Sequence, residues 1–124
     1  MRFRAEQHLC RQGDIRAVRQ QGRRVDCRIF TIWWKRRDDA SVPGDGPRVC
    51  VIASTAAVGA ATERNRAKRR LREVFRHQQN HVPRGCDLLL IARAAATKCP
   101  MRELETKFTE ACGLIAPAMA PKAS

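Results

Sequence analysis

The chain has 124 residues, of which 44% are hydrophobic and 30% are charged. This length accommodates one compact domain with short tails and excludes a second independent core. The 25 Lys and Arg residues against 12 Asp and Glu residues give a net charge of +13. Self-repulsion of this size is best neutralised by a polyanion, so nucleic acid is the expected partner.

The sequence shows no sign of export or membrane insertion. No apolar run reaches the roughly 18–20 residues that a membrane-spanning helix needs, and residues 1–12 lack the apolar stretch of a signal peptide. We therefore expect a cytoplasmic protein with no membrane partner. The six cysteines do not have the spacing of a zinc knuckle, so no metal site is predicted, and we expect them to behave as small, half-buried hydrophobic residues.

The first half of the chain predicts a helix followed by two strands. Apolar Leu9, Ile15 and Val18 alternate with arginines as far as Gly22, which is typical of a short amphipathic helix with a basic face. The segment Cys27 to Lys35 is rich in β-branched and aromatic residues and predicts a strand. A loop rich in Pro, Gly and Asp follows. The continuous apolar centre of the segment Arg48 to Ser54 then predicts an inner strand of a sheet.

The second half predicts a long basic helix, a buried strand and a closing helix. The apolar residues of the basic helix, from Thr62 to Asn80, repeat at helical spacing: Ala67, Leu71, Val74 and Phe75. Thr62 is placed to cap its first turn. A strand from Asp87 to Ala92 and a helix over residues 100–115 follow. Strand, helix and strand together predict a βαβ unit and a mixed sheet with helices on one face.

Trp33 and Trp34 lie next to each other on the first predicted strand. Because successive side chains of a strand point to opposite faces, only one of the two rings joins a given core. The other ring either packs beneath the first helix or offers a stacking platform to an unpaired base.

The segment from Thr62 to Arg76 carries seven cations against Glu63 and Glu73. A solvated helix face commonly interleaves both signs of charge, and this face scarcely does so. Because like charges at this spacing repel one another, a bound anion such as phosphate is the simplest explanation. Asn65, near the helix N-terminus, has three candidate roles: bonding a sugar hydroxyl, orienting a hydrated metal ion, or stabilising the first turn.

The order of these residues closely resembles the signature of the bacterial ribonuclease P protein family. The matching residues are Gly59, Arg64, Asn65, Arg66, Lys68, Arg69, Arg72, Glu73, Phe75 and Arg76. Three further segments, Asp14 to Gly22, Arg48 to Ser54 and Asp87 to Arg93, are similar to the family pattern. The similarity extends over residues 8 to 112 with the spacing preserved.

The resemblance implies an α+β fold, namely a single-domain αβββαβα sandwich of the ribosomal protein S5 domain 2-like type. Its mixed sheet would contain a left-handed βαβ crossover, and a third β-segment would lie near Val25 or just before Gly59. The domain would occupy residues 1–115, and we expect residues 116–124 to form a disordered tail.

The resemblance also implies a function and two partners. The protein subunit of ribonuclease P has no catalytic residue of its own; it binds a large catalytic RNA that uses bound Mg²⁺ to remove the 5′ leader from precursor tRNA. By this resemblance the chain would bind both the catalytic RNA and the leader, and would lower the Mg²⁺ requirement of the reaction.

Two sets of residues follow from the resemblance. Those facing the catalytic RNA would be Arg64, Asn65, Arg66, Lys68, Arg69 and Arg72. Those lining a cleft for the single-stranded leader, between the first helix and the sheet, would be Ile15, Arg16, Arg19, Phe30 and Trp33.

The chain departs from the family at a few positions. His8 stands in place of an arginine, Ile15 in place of a cleft phenylalanine, and Ala56 and Ala57 in place of two lysines. Phe30 and Trp33 are the candidate replacements for the lost aromatic contact. The candidate replacements for the lost cations are Arg16, Arg19, Arg23 and Arg24.

Two other interpretations are open at this point. An enzyme in its own right would need an acid–base group that titrates near neutral pH, and only three histidines are available. A zinc site built from His77, His81 and Cys86 is geometrically conceivable. The stronger alternative is a general RNA-binding or ribosome-associated basic protein with no catalytic RNA partner, because the same charge could coat any folded RNA.

Overall fold

The computed structural model describes residues 12–36, 47–83 and 85–119. In chain order these residues form helix α1 (Gln12–Gln21), strands β1 (Arg23–Asp26), β2 (Phe30–Arg36) and β3 (Arg48–Ile52), helices α2 (Thr55–Val58) and α3 (Ala61–Gln78), strand β4 (Cys86–Ala92) and helix α4 (Met101–Met119). Short 3₁₀ turns at Gln79–His81 and Ala94–Thr97 precede β4 and α4. The expected αβββαβα order is confirmed, with the one-turn helix α2 added before α3.

The four strands form one mixed sheet in the order β1-β2-β4-β3. β2 pairs antiparallel with both β1 and β4, whereas β3 and β4 are parallel neighbours joined through α2 and α3. The third β-segment is therefore β1, which contains Val25, and the stretch before Gly59 is the short helix α2 rather than a strand. The left hand of the β3–α3–β4 crossover stays a prediction from the resemblance.

Helices α3 and α4 cover one face of the sheet and enclose the main core. The strands contribute alternate residues to this core, among them Phe30, Ile32, Trp34, Val49, Val51, Leu88 and Leu90. Phe75 of α3 and Phe108 of α4, both fully buried, meet edge to face with their ring centroids 6.4 Å apart. Burial of side chains of this size contributes about 1.5–3 kcal/mol each, so this layer holds the fold together.

Helix α1 covers the opposite face, which corrects the expectation that helices lie on one face alone. Val18 of α1 packs against Leu89 of β4, and both side chains are fully buried. Gly22 makes the tight connection from α1 to β1: a Cβ atom there would lie 2.2 Å from the carbonyl oxygen of Val18 and 2.5 Å from that of Trp34. Only glycine fits this backbone approach, and it fixes α1 over the sheet.

The helix ends differ from the expectations at two points. Ala60 rather than Thr62 precedes α3 as its N-cap, without a side-chain hydrogen bond, so Thr62 lies inside the first turn. Helix α4 continues to Met119 and includes Pro117, four residues beyond the expected end. Residues 120–124 of the expected tail lie outside the described residues.

The cysteines that the structure describes are free thiols: Cys27, Cys50, Cys86, Cys99 and Cys112. Burial raises the pKa of Cys27 to about 11 and that of Cys112 to about 12. Both thiols therefore stay protonated at neutral pH and pack as small hydrophobic groups. Cys10 lies outside the described residues.

Candidate nucleic-acid interface

The outward face of α3 presents the polar part of the predicted signature. Asn65, Arg69 and Arg72 are exposed and follow one another at i, i+4 and i+7, so they lie along one stripe of the helix. Arg66 is exposed beside this stripe, and Lys68 is half-buried at its other side. The buried residues of α3 point the opposite way, into the main core, so the core contacts fix which side chains face outward.

Four cations of this face have no anionic partner among the residues that the structure describes. Within residues 12–36, 47–83 and 85–119, no hydrogen bond or ion pair engages Arg66, Lys68, Arg69 or Arg72. Neighbouring cations on a helix destabilise it when nothing neutralises them. This face, which we call the α3 basic face, is therefore suited to bind an extended anion.

Arg64 has a different environment from the other signature cations. Its Nη1 donates to the hydroxyl of Thr55 at 2.8 Å and to the carbonyl oxygen of Gly59 at 3.0 Å. These two bonds join α2 to the first turn of α3 across Gly59, whose φ of +105° is a conformation that favours glycine. Arg64 therefore fixes the loop that precedes the α3 basic face.

Arg70 and Arg76 are not among the predicted RNA-binding residues. Like Arg64, they form contacts within the protein. Arg70 donates to the carbonyl oxygen of Ala96 at 2.7 Å and to that of Cys99, so it anchors the turn before α4. Arg76 forms an ion pair with Glu73. The seven cations of the segment thus separate into three that hold the protein together and four that face outward.

The three residues of the conceivable zinc site, His77, His81 and Cys86, do not come together in the structure. His77 lies 3.2 Å from Glu73 and 3.3 Å from Glu105 of α4, which makes it part of the contact between the two helices. His81 is exposed, whereas Cys86 is fully buried in the main core. Among the residues that the structure describes, no group of three His, Cys, Asp or Glu side chains is placed to hold a metal ion.

The predicted leader cleft would lie on the α1 side of the sheet, where Trp33 of β2 faces α1. In the sheet register, Trp33 stands between Arg24 of β1 and Leu89 of β4. Trp33 is half-buried, and the guanidinium of Arg19 lies 5.8 Å from its ring centroid. This distance is within the range of a cation–π contact, so Arg19 lies over the ring. Trp33 also packs against the Val18 and Leu89 cluster beneath α1, which was one of the two alternatives for this ring.

The structure places the other predicted cleft residues on different sides of the sheet. Ile15 packs half-buried against the Val18 and Leu89 cluster, and Arg16 is exposed on the same helix. Phe30 does not line the cleft: it is fully buried in the main core beneath α3 and α4. The reason is the strand period of two, which places residues three apart, such as 30 and 33, on opposite faces.

The cleft face also carries cations that the sequence reasoning missed. Lys35 follows Trp33 by two residues and is half-buried on the same face. Its register partner in β4 is Asp87. On the other side of β4, Arg48 of β3 pairs with Asp87 and donates two hydrogen bonds to its carboxylate at 2.8 and 2.7 Å, and both side chains are buried. The alternation that begins at Trp33 would have indicated Lys35.

The end of the cleft face near the β1–β2 turn is held by Arg93. Its Nη2 donates to the Thr31 hydroxyl at 3.1 Å and lies 3.1 Å from an Asp26 oxygen. The backbone N–H of Arg28 donates to the same carboxylate and, with Arg93, holds the pKa of Asp26 below its ordinary value. Asp26 and Asp87 are thus both paired with arginines. Among the described residues, the other cations on this side of the sheet are Arg16, Arg19, Arg24 and Lys35.

Helices in the described ranges are too short or too polar to cross a membrane.

The family model described as Ribonuclease P matches residues 3–115. The chain is 33% identical over 102 residues to the ribonuclease P protein component of Rhodococcus opacus (strain B4), with 81% of each chain covered. It is 28% identical over 118 residues to that of Cyanothece sp. (strain PCC 7425), covering 83% of this chain and 90% of the relative.

Two solved structures share the fold at low sequence identity. The RNase P protein of Staphylococcus aureus superposes with a TM-score of 0.72 at 21% identity, covering 89% of this chain and 95% of that one. The RNase P protein from Thermotoga maritima gives a TM-score of 0.71 at 21% identity, with 85% and 94% covered. The four-stranded mixed sheet and its helices are therefore an arrangement that these proteins share.

Proposed function

Because the chain belongs to the ribonuclease P protein family, we propose that it is the RNA-binding subunit of a ribonuclease P whose catalytic RNA removes the 5′ leader from precursor tRNA. The α3 basic face would bind the catalytic RNA, and the cleft between α1 and the sheet would hold the leader. The protein would assist the RNA rather than supply catalytic side chains. Family membership by itself supports the more general conclusion that the chain is a component of a ribonucleoprotein that acts in tRNA processing.

The single observation that supports RNA binding best is the set of cations on the α3 basic face, which have no partner within the described ranges. Arg66, Arg69 and Arg72 are exposed, and their guanidinium groups suit bidentate contacts with phosphate. Asn65, in the same stripe, adds an amide that can bond a sugar hydroxyl. Arg64 contributes by holding the loop before the helix in place.

The cleft supports binding of a single strand. An unpaired base can stack on the guanidinium of Arg19, which lies over the Trp33 ring, and stacking of this kind contributes about 1–3 kcal/mol per base. Arg16 is exposed on α1, and Lys35 follows Trp33 by two residues on the same face, so both add positive charge to this side of the sheet. A stacking platform beside cations binds single strands with little sequence preference, as a leader that varies between tRNAs requires.

In this proposal the RNA, and not the protein, binds Mg²⁺. Mg²⁺ prefers oxygen ligands from carboxylates, and both carboxylates of the cleft face, Asp26 and Asp87, are already engaged by arginines. The described cleft residues therefore do not fit an Mg²⁺ site. The protein acts instead through its own cations, which reduce repulsion between phosphates and so lower the concentration of divalent ions that RNA folding and substrate binding need.

The cleft assignment is tested with the reconstituted holoenzyme and two variants that each lose two exposed cations. The R16Q/R19Q variant removes the cleft charges, and the matched control K98Q/R102Q removes two exposed cations near the start of α4. We expect R16Q/R19Q to raise KM for precursor tRNA with a long leader several-fold and to leave KM for a substrate with a one-nucleotide leader unchanged. Equal effects on both substrates, or equal effects of both variants, would contradict a leader-binding cleft.

A further inference from the structure

A cluster of charged side chains lies at the end of β1. The Asp26 carboxylate is 3.1 Å from Nη2 of Arg93 and 3.9 Å from Nη2 of Arg24. The side chains of Arg93, Asp26 and Arg24 are 38%, 47% and 51% exposed, so a ligand in solution can reach all three. Two cations share one carboxylate here, so the three groups together carry a net positive charge. We call these three residues the Asp26 cluster.

Neutral acceptors help to hold the Arg93 guanidinium in place. Its Nη1 donates to the carbonyl oxygen of Arg28 at 3.2 Å, and its Nη2 donates to the hydroxyl of Thr31 at 3.1 Å. Thr31 is buried in β2, so its hydroxyl is a fixed acceptor. A guanidinium has five N–H donors, and the contacts to Arg28, Thr31 and Asp26 require only three of them. Arg93 is therefore oriented and can still bind another anion.

The turn between β1 and β2 gives Asp26 two separate roles. Arg28 has a φ of +69°, a left-handed conformation that is uncommon outside glycine and costs free energy. Its backbone N–H donates to the Asp26 carboxylate at 2.8 Å, which stabilises the turn. The second role is the ion pair with Arg93. An asparagine at position 26 could accept the Arg28 N–H but could not form the ion pair, so substitution separates the two roles.

The Asp26 cluster lies on the same face of the sheet as Trp33. Arg24 is the register partner of Trp33, and Asp26 is the register partner of Thr31, which precedes Trp33 by two residues. Residues two apart on a strand share a face and are about 6–7 Å apart. The cluster is therefore continuous with the position at which a base can stack on Arg19.

The chemistry of this position suits a phosphate of a single strand. Proteins that bind single strands combine a stacking position with cations that follow the backbone. Arginine side chains bind phosphate through two parallel hydrogen bonds. The Arg28 N–H and Arg93 lower the pKa of Asp26, so its carboxylate is ionised at neutral pH and already lies beside both arginines. Because a carboxylate and a phosphate repel each other, they would compete for these arginines.

We propose that Arg24 and Arg93 form a phosphate subsite for single-stranded RNA beside Trp33, and that Asp26 competes with the RNA phosphate for this subsite. The proposal rests on the cleft of the proposed function and adds a contact to it. Asp26 would then limit the affinity of the cleft. The alternative is that the ion pair of Asp26 and Arg93 only braces the turn, and in that case its removal would leave RNA binding unchanged.

Binding of the purified chain to a short single-stranded RNA tests the proposal. Asp26→Asn keeps an acceptor for the Arg28 N–H and removes the negative charge. The matched control Glu103→Gln removes an exposed negative charge from α4, on the other side of the sheet. We expect D26N to tighten binding about two- to five-fold at low salt, as for an exposed ion pair. E103Q should tighten binding by less than about 1.5-fold, because its charge is distant and screened.

Salt dependence gives a second measure of the same contact. In D26N, Arg93 would neutralise a phosphate without first losing a carboxylate. The magnitude of the slope of log K against log salt concentration should therefore rise by about 0.7, the value for one phosphate of a single strand. Equal gains in affinity for D26N and E103Q, or no gain for D26N, would overturn the proposal.

The double variant D26N/R93Q tests whether the gain requires Arg93. In the R93Q background, D26N should tighten binding no more than E103Q does, and a gain as large as in the parent chain would overturn the proposal. R24Q leaves the contacts of the turn in place and replaces R93Q if circular dichroism shows that R93Q is unfolded. The gain from D26N should then be smaller in R24Q than in the parent chain, and an equal gain would overturn the subsite.

These results are distinguishable from a failure of the proposed function. If R16Q/R19Q affects substrates with long and short leaders equally while the D26N gain requires Arg93, the phosphate subsite is supported and the assignment of the leader to the cleft is wrong. If R16Q/R19Q behaves as expected and D26N does not tighten binding, the subsite alone is wrong.

Discussion

Replacing Arg64 with alanine separates a structural role from an RNA contact. The substitution removes the hydrogen bonds of 2.8 and 3.0 Å that Arg64 donates to Thr55 and to the Gly59 carbonyl. Hydrogen bonds from a charged group contribute about 1.5–3 kcal/mol each when buried, and less when half-exposed. We therefore expect Arg64→Ala to lower the free energy of unfolding by about 1–2 kcal/mol.

For a domain of this size, that loss corresponds to a fall in Tm of roughly 4–8 °C. Thermal unfolding followed by circular dichroism measures it. Two comparisons isolate the cause. Thr55→Val removes one acceptor and no charge, so it should lower Tm by a smaller amount. Arg66→Ala removes an exposed cation with no partner in the described structure, so its free energy of unfolding should stay within about 0.5 kcal/mol of the parent chain.

RNA binding completes this comparison. If Arg64 acts by fixing the loop, the slope of log K for binding the catalytic RNA against log salt concentration should be nearly the same for Arg64→Ala and the parent chain. For Arg66→Ala, the magnitude of this slope should be smaller by about 0.7–0.9, as expected for the loss of one phosphate contact. An unchanged Tm together with a slope loss of that size in Arg64→Ala would refute the positioning role and identify Arg64 as a phosphate ligand.

Three further predictions concern the fold. Gly22→Ala should destabilise the domain by about 1–3 kcal/mol in chemical denaturation, because the added Cβ would meet the Val18 and Trp34 carbonyl oxygens; an unaffected midpoint would show that α1 moves freely on the sheet. The thiols of Cys27 and Cys112, whose pKa values burial raises to about 11 and 12, should resist a thiol reagent at pH 8 in the folded chain and react in denaturant. Stability should also fall above pH 9, because these thiols ionise there only when unfolded; a Cys27→Ala/Cys112→Ala variant should lose part of that dependence. The lowered pKa of Asp26 stabilises the fold above pH 3.8, and this contribution is lost as the pH falls further; Asp26→Asn should unfold in acid with a shallower pH dependence, and an unchanged acid titration would contradict the Arg28 and Arg93 contacts.

Local patterns were sufficient to predict most of the fold. The stripe of Ala67, Leu71, Val74 and Phe75 is buried as its spacing predicts, and the β-branched and aromatic run that contains Trp33 forms β2. The resemblance supplied the order of elements. It also supplied the segment near Val25, since a four-residue strand such as β1 has too few residues to show a period of its own.

The errors have physical causes that involve distant residues. α1 lies on the opposite face of the sheet because Val18 meets Leu89, which is 71 positions later in the chain, and no local pattern encodes that contact. The separate roles of Arg64 and Arg70 depend on the carbonyl oxygens of Gly59, Ala96 and Cys99. The run of cations in the sequence does not by itself distinguish Arg64 and Arg70 from the cations that face outward. Phe30 was different, because the period of two already excluded it from the face of Trp33.

The most direct test of the central claim is leader removal from precursor tRNA at low, near-physiological Mg²⁺, with the cognate catalytic RNA in the presence and absence of this protein. We predict that the parent chain restores cleavage at a Mg²⁺ concentration at which the RNA alone is nearly inactive. The variant R66Q/R69Q/R72Q, which removes exposed cations of the α3 basic face, should require more protein or more Mg²⁺, whereas K98Q/R102Q should behave like the parent. If the parent chain binds the RNA but does not restore cleavage, the account is wrong and a general RNA-binding protein is the better description.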